Sequence, residues 1–140
     1  MFKHQIRIAY RDVTVGNHVY YARYLDLLEI VRNEFFRTLG HPLLQLQEQG
    51  IIFPVVECSL RCHAAARYDD LLDIETSVTN LGRVQFTLGY EVKRGDVLLV
   101  TASTRHAATT MEERPTKMPT GLFEALKKET EGHAPSCPSV

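Results

Sequence analysis

Charge of one sign is missing from this sequence: 16 lysines and arginines stand against 17 aspartates and glutamates, a formal net charge of -1. No basic block forms a phosphate-binding stripe, which removes the electrostatic case for nucleic acid as a partner. Long apolar runs are missing too. None approaches the roughly 20 residues that a bilayer-spanning helix needs, and the opening Met-Phe-Lys-His-Gln lacks the apolar core of a secretory signal. These absences lead to the expectation of a soluble, cytoplasmic protein with no membrane association. Cysteine is scarce and odd in number, at Cys58, Cys62 and Cys137. A strand through residues 51–62 would set Cys58 and Cys62 on one face, two residue pairs apart, which is poor geometry for a disulfide. His63 would then face the other way with no further ligand cluster behind it, so no metal site is expected. All three thiols are expected reduced, two of them packed as small apolar groups.

What is present is enough for one core: 140 residues, 44% of them apolar. We read one domain over residues 1–129 and, from the Gly, His, Pro and Ser that follow, an unstructured tail over residues 130–140. Residues 4–10 alternate as a half-buried strand does. Leu25, Leu28, Val31, Phe35 and Leu39 recur at three- and four-residue spacings, predicting a helix over residues 21–39 with one buried face. Gly40 stops it where a left-handed residue is needed, and His41-Pro42 prevents its continuation. A short helical turn over residues 43–49 ends at Gly50. Period-two, β-branched patterns then predict strands over residues 51–62, 71–80, 83–94 and 97–111, read as an antiparallel meander with a hairpin at Arg94-Gly95-Asp96. A terminal helix over residues 121–129 would dock through Leu122, Phe123 and Leu126, on this chain or on a partner.

One long helix followed by a curved antiparallel sheet of about five strands predicts an α+β fold in which the sheet wraps the helix. That arrangement leaves a sheet edge exposed, and pairing edges across a two-fold axis would cover it. A homodimer or a dimer of dimers is therefore expected, and a monomer only if the terminal helix covers the edge.

Polar groups concentrate between Tyr10 and Glu29, where a strand end, a polar elbow and a helix start fall within twenty residues. A helix N-terminus offers free N–H groups and positive dipole, suited to a carbonyl oxygen that gains negative charge. Asn17 and His18 lie just before it. His18 has an ordinary pKa near 6.5 and can serve as a base. Asp12 reads either as a carboxylate for the site or as a cap of the elbow. Glu29 reads either as a carboxylate for the site or as a surface residue paired with Arg32 or Asn33. Tyr20, Tyr21 and Tyr24 would line an apolar pocket through their rings.

Two segments, Val19-Tyr20-Tyr21-Ala22-Arg23-Tyr24-Leu25 and Ala66-Arg67-Tyr68-Asp69-Asp70-Leu71-Leu72-Asp73-Ile74-Glu75-Thr76, together with Gly50-Ile-Ile-Phe-Pro-Val-Val, resemble the hotdog-fold thioesterases of the 4-hydroxybenzoyl-CoA thioesterase type. The resemblance covers about residues 6–119. It implies hydrolysis of an acyl-CoA thioester at a dimer interface, with CoA as part of the substrate and no cofactor. The Tyr21 N–H falls on the oxyanion donor, and Thr14 stands where the 4-hydroxybenzoyl-CoA type has a carboxylate. Because a threonine hydroxyl is a poor nucleophile without a base, attack by water handled by His18, Asn17 and Thr14 is expected. Glu29 matches the helix glutamate of some hotdog enzymes. Arg83 falls on a phosphate-contacting position for CoA, with Arg61 and Arg67 as further candidates. Carrier-protein-bound acyl chains as substrate, or acyl-CoA binding without hydrolysis, are the alternative readings.

Overall fold

The computed structural model of the chain describes residues 1–131. Strand β1 (Phe2–Arg7) alternates half-buried and exposed side chains, and a 3-10 turn (Tyr10–Asp12) follows it. A two-residue pair, β2 (Val13–Thr14) and β3 (His18–Val19), makes a small hairpin before helix α1 (Arg23–Thr38). The first strand thus ends at Arg7 rather than at residue 10, and the helix starts at Arg23 rather than at residue 21.

Helix α1 buries Tyr24, Leu27, Leu28, Val31, Phe35 and Phe36. Leu25, expected on that face, is 41% exposed. Its C-terminus ends as the sequence predicts: Gly40 has φ +85°, Gly40 N–H donates to Arg37 C=O at 3.1 Å, and His41 N–H donates to Phe36 C=O at 3.0 Å. Helix α2 (Leu43–Glu48) is the short turn expected there.

The remaining strands are β4 (Ile51–Ile52), β5 (Val55–Cys62), β6 (Leu71–Leu81), β7 (Gln85–Arg94), β8 (Val97–Ala107) and β9 (Thr109–Thr110), followed by helix α3 (Thr120–Glu131). Four of them join β1 in one antiparallel sheet in the order β1-β6-β7-β8-β5, and β4 pairs with β9 apart from it. Strands β6, β7 and β8 form a meander, but β5 does not precede β6 in it; it crosses to the far edge and pairs with β8. A hairpin needs a connection of two to five residues. The longer segment over residues 63–70 instead runs across to β1, with Ile8 N–H on Asp70 C=O at 2.9 Å and Asp69 N–H on Ile8 C=O at 3.0 Å. The strand predicted over residues 51–62 breaks at Phe53-Pro54, because proline cannot donate to a ladder.

On β7, Phe86, Leu88, Tyr90 and Val92 are buried beneath α1, and the residues between them are partly exposed. Phe36, Phe53, Phe86 and the His106 imidazole make an aromatic cluster at one end of this core, with ring centroids 4.9–6.0 Å apart. Helix α3 docks on this chain, its Leu122 and Leu126 fully buried, and packs along β6. Among the described residues the outer edge of β5 is therefore unpaired. Thr130 and Glu131 belong to α3 rather than to the expected tail; residues 132–140, Cys137 among them, lie outside the described residues.

Cys58 and Cys62 are exposed thiols, not packed ones. Their cross-strand partners Thr104 and Val100 are buried, so both face the helix side of the sheet, exposed at its β5 edge.

Candidate active site

The turn between β2 and β3 is built from Val15, Gly16 and Asn17, with φ +91° at Gly16 and +57° at Asn17. Glycine adopts this backbone freely and asparagine tolerates it. A Cβ at Gly16 would stand 2.9 Å from His18 Nε2, so the missing side chain is also what lets the imidazole lie against the turn. Thr14 and His18 are directly opposite each other in the β2–β3 pair, which puts both side chains on one face.

Residues 63–70 form the seat of this hairpin. Val19 N–H donates to Ala66 C=O at 2.9 Å, and Tyr68 N–H donates to the Asn17 side-chain oxygen at 3.1 Å. Arg67 reaches Asn17 C=O at 3.2 Å and Gly16 C=O at 3.4 Å. Ala66 N–H donates to the Tyr24 hydroxyl at 3.4 Å, tying the same segment to α1. Burial pushes the Tyr24 phenol up, so it stays protonated as that acceptor. Asp70 anchors the segment, accepting from Arg67 N–H and from the Arg94 guanidinium, each at 2.8 Å. Burial opposes its charge, but these two donors prevail and hold the carboxyl below its ordinary value.

At the start of α1, three successive bonds link residues three apart: Arg23 to Tyr20 at 2.8 Å, Tyr24 to Tyr21 at 3.3 Å and Leu25 to Ala22 at 3.2 Å. Tyr20 N–H is used by Asp12 C=O at 3.2 Å. The N–H groups of Tyr21 and Ala22 meet no acceptor among the described residues. Beside them lies a cleft of about 220 Å³ lined by His18, Val19, Tyr21, Tyr24, Cys62, His63, Ala64 and Ala65. The free Tyr21 amide, an imidazole and apolar walls can hold a carbonyl, stabilise charge on its oxygen and move one proton.

Of the residues singled out from sequence, His18 and Tyr21 meet at this cleft, with Thr14 across from His18. The Asn17 side-chain oxygen accepts Tyr68 N–H, which leaves its NH2 group as the free donor. Asp12 is the elbow's cap: its carboxylate accepts from Ala9 N–H at 2.8 Å and Arg23 Nε at 2.9 Å, so it does not face the cleft. Glu29 is exposed about two turns along α1 and pairs with neither Arg32 nor Asn33. Arg32 turns instead to the Tyr90 hydroxyl at 3.4 Å. Arg61 is exposed on the other face of β5 from Cys62, Arg67 is committed to the hairpin carbonyls, and Arg83 stacks over the Phe123 ring at 4.3 Å. Arg83 precedes β7, whose far end at Arg94 adjoins Asp70, so roughly 30 Å of strand separates it from its own chain's cleft. Sequence reasoning missed the lining by Cys62 and His63 and the seat over residues 63–70. The Ala66-Arg67-Tyr68-Asp69-Asp70 run was the available signal, and it pointed to a family rather than to a contact. Among the described residues, no three His, Cys, Asp or Glu side chains are placed to hold a metal, and no helix is long and apolar enough to cross a membrane.

A helix laid on a five-stranded antiparallel sheet, with free amides where that helix begins, defines a hotdog-fold protein of the thioesterase class. The chain belongs to the thioesterase superfamily, whose family model matches residues 16–110. It is 33% identical over 107 residues to the acyl-CoA thioesterase YbgC of Haemophilus influenzae, covering 76% of this chain and 79% of that one. It is 32% identical over 103 residues to the 4-hydroxybenzoyl-CoA thioesterase of a Pseudomonas species, covering 69% and 73%. Among solved structures, a probable thioesterase from Bartonella henselae superposes with a TM-score of 0.80 at 29% identity, over 84% of this chain and 98% of that one.

Proposed function

We propose that this enzyme hydrolyses acyl-CoA thioesters by direct attack of water. The observation that carries the reading is the unpaired N–H of Tyr21, followed by that of Ala22, at the edge of a cleft lined by Tyr21 and the His18 imidazole. The thioester carbonyl oxygen sits against the Tyr21 N–H. His18 takes a proton from water as the water oxygen bonds to the carbonyl carbon, and the oxyanion rests on the amides. The carbon–sulfur bond then breaks and the CoA thiolate leaves, taking its proton from the imidazolium. Thr14, on the same face as His18, offers a hydroxyl that orients the water, and Asn17 keeps the turn in shape through Tyr68.

We read the working unit as a homodimer paired through β5. Antiparallel pairing of β5 with its copy brings the Val55 end of one chain beside the Cys62 end of the other. That places the partner subunit's Arg83 end of the sheet next to this chain's cleft, within reach of the CoA phosphates. Exposed thiols at Cys58 and Cys62 suit a reducing, cytoplasmic compartment.

The test is turnover of a panel of acyl-CoAs, short and long, aliphatic and aromatic, by the native enzyme and by His18→Ala and Asn17→Ala. His18→Ala is expected to lose on the order of 10²–10⁴-fold in kcat, the usual worth of a positioned base. Asn17→Ala is expected to lose less, since it acts through the shape of the turn. A His18→Ala enzyme that turns over at the native rate would remove the role given to the imidazole.

A further inference from the structure

We infer that Asp12 and Arg23 are positioning residues that aim the free N–H groups of Tyr21 and Ala22; the inference rests on the reading of those groups as the oxyanion's donors. Asp12 holds the chain on either side of them. Its backbone C=O accepts Tyr20 N–H at 3.2 Å, one residue before Tyr21, and its carboxylate accepts Arg23 Nε at 2.9 Å, one residue after Ala22. The carboxylate cannot turn away, because its second oxygen accepts Ala9 N–H at 2.8 Å and the residue is only 4% exposed. Arg23 is fixed in turn by Asp26, whose carboxylate takes its Nη1 at 2.7 Å.

This bracket compensates for what the helix lacks. No side chain caps the N-terminus of α1, and the residue before it, Ala22, has no group that could. Without such a cap the first turn depends on the three-residue bonds at 2.8–3.3 Å alone. A hydrogen bond weakens steeply once its angle falls below about 120°, so a modest rotation of the Tyr21 peptide would cost the oxyanion its donor. An ion pair with a buried carboxylate and a guanidinium 31% exposed is weak ground for a stability role, because desolvation of the one and solvent screening of the other offset their attraction. Its position astride the two amides gives the pair another use.

The test uses the full-length enzyme with Arg23→Ala, Arg23→Lys and the paired Asp12→Asn/Arg23→Gln, each checked for native circular dichroism and melting. In Arg23→Ala, kcat is expected to fall on the order of 10- to 100-fold, less than or equal to the loss of one oxyanion donor. KM and the CoA dissociation constant stay within about two-fold, because the contact matters only in the transition state. Arg23→Lys recovers part of the rate. The paired variant loses no more than Arg23→Ala, since the two residues act as one unit. It also leaves no uncompensated buried charge, so it carries the test if Arg23→Ala does not fold. Native kcat in a folded variant of either kind overturns the inference, as does a change carried by KM instead of kcat. The underlying reading is tested separately by placing the α-hydroxy counterpart of tyrosine at position 21, which turns that N–H into an ester oxygen. Native kcat there removes the donor and the inference together; a lowered kcat there, with Arg23 variants at the native rate, removes only the positioning role.

Discussion

Burial decides the behaviour of His106, which is 1% exposed and stacked on Phe86 with ring centroids 4.9 Å apart. Its hydrogen bonds allow one protonation state. Phe53 C=O can only accept, so Nδ1 at 3.1 Å carries the hydrogen, and Nε2 accepts from the Thr104 hydroxyl at 2.9 Å. Thr104 then accepts from the Tyr90 hydroxyl at 2.8 Å, and Tyr90 accepts from Arg32 at 3.4 Å. The chain of donors runs in one direction from α1 through the core, and a second proton on the imidazole would reverse it. Burial, helped by the Arg32 charge and opposed by the Phe53 carbonyl, lowers the imidazole from its ordinary 6.5 to about 4. Above pH 6.5 the group is neutral in folded and unfolded chains alike, and stability is complete. Between pH 6.5 and 4 the unfolded chain takes up a proton that the folded chain refuses, so stability falls with pH, by about 3 kcal/mol over that window. Denaturant unfolding from pH 7 to 4 should show this loss in the native enzyme and lack most of it in His106→Gln. Equal slopes in both would mean that His106 is not its source.

Among the elements, α3 is the one whose place the sequence left open, since its apolar stripe fits this chain or a partner equally well. The burial of Leu122 and Leu126 against β6 makes it part of this fold. Leu126→Ala should therefore cost roughly 2–5 kcal/mol, the range for a buried leucine, measured as a drop in the denaturation midpoint that is the same size at low and high protein concentration. A concentration-dependent loss would place α3 between subunits instead. Elements set by local chemistry were legible beforehand: the Gly40 stop of α1, the turn at Gly95 with φ +61° and the alternation of β7 all follow from nearby residues. The site was legible as far as its backbone chemistry, because a helix start advertises its free amides wherever it falls. The rest depends on contacts distant in sequence. Nothing near Asn17 announces Tyr68, nothing near Asp12 distinguishes a cap holding Arg23 from a free carboxylate, and the crossing of β5 to β8 follows from where residues 63–70 are seated.

At the scale of the whole molecule, β5 is the unfinished part. It is the last strand of the sheet, Val55 and Val56 are 45% and 49% exposed, and Cys58 and Cys62 are exposed thiols along it. An open edge of this length is a template for another strand, and a second copy of β5 is always available at equal concentration. The pairing has a consequence beyond mass, because each cleft would then combine the elbow of one chain with the partner subunit's Arg83. Two defective enzymes should accordingly repair each other. On that reading His18→Ala lacks the imidazole and Arg83→Ala the proposed phosphate contact, and a mixed dimer would hold one cleft with both defects and one with neither. With random re-association, half of the dimers are mixed and half of their clefts are intact, so activity should recover to about a quarter of the native level. Sedimentation should give twice the 15.9 kDa chain mass, and Val56→Lys, which adds a charge to a side chain already half exposed in the single chain, should lower it toward the mass of one chain. Mixtures that stay at the average of their two parents would show that each cleft is complete within its own chain.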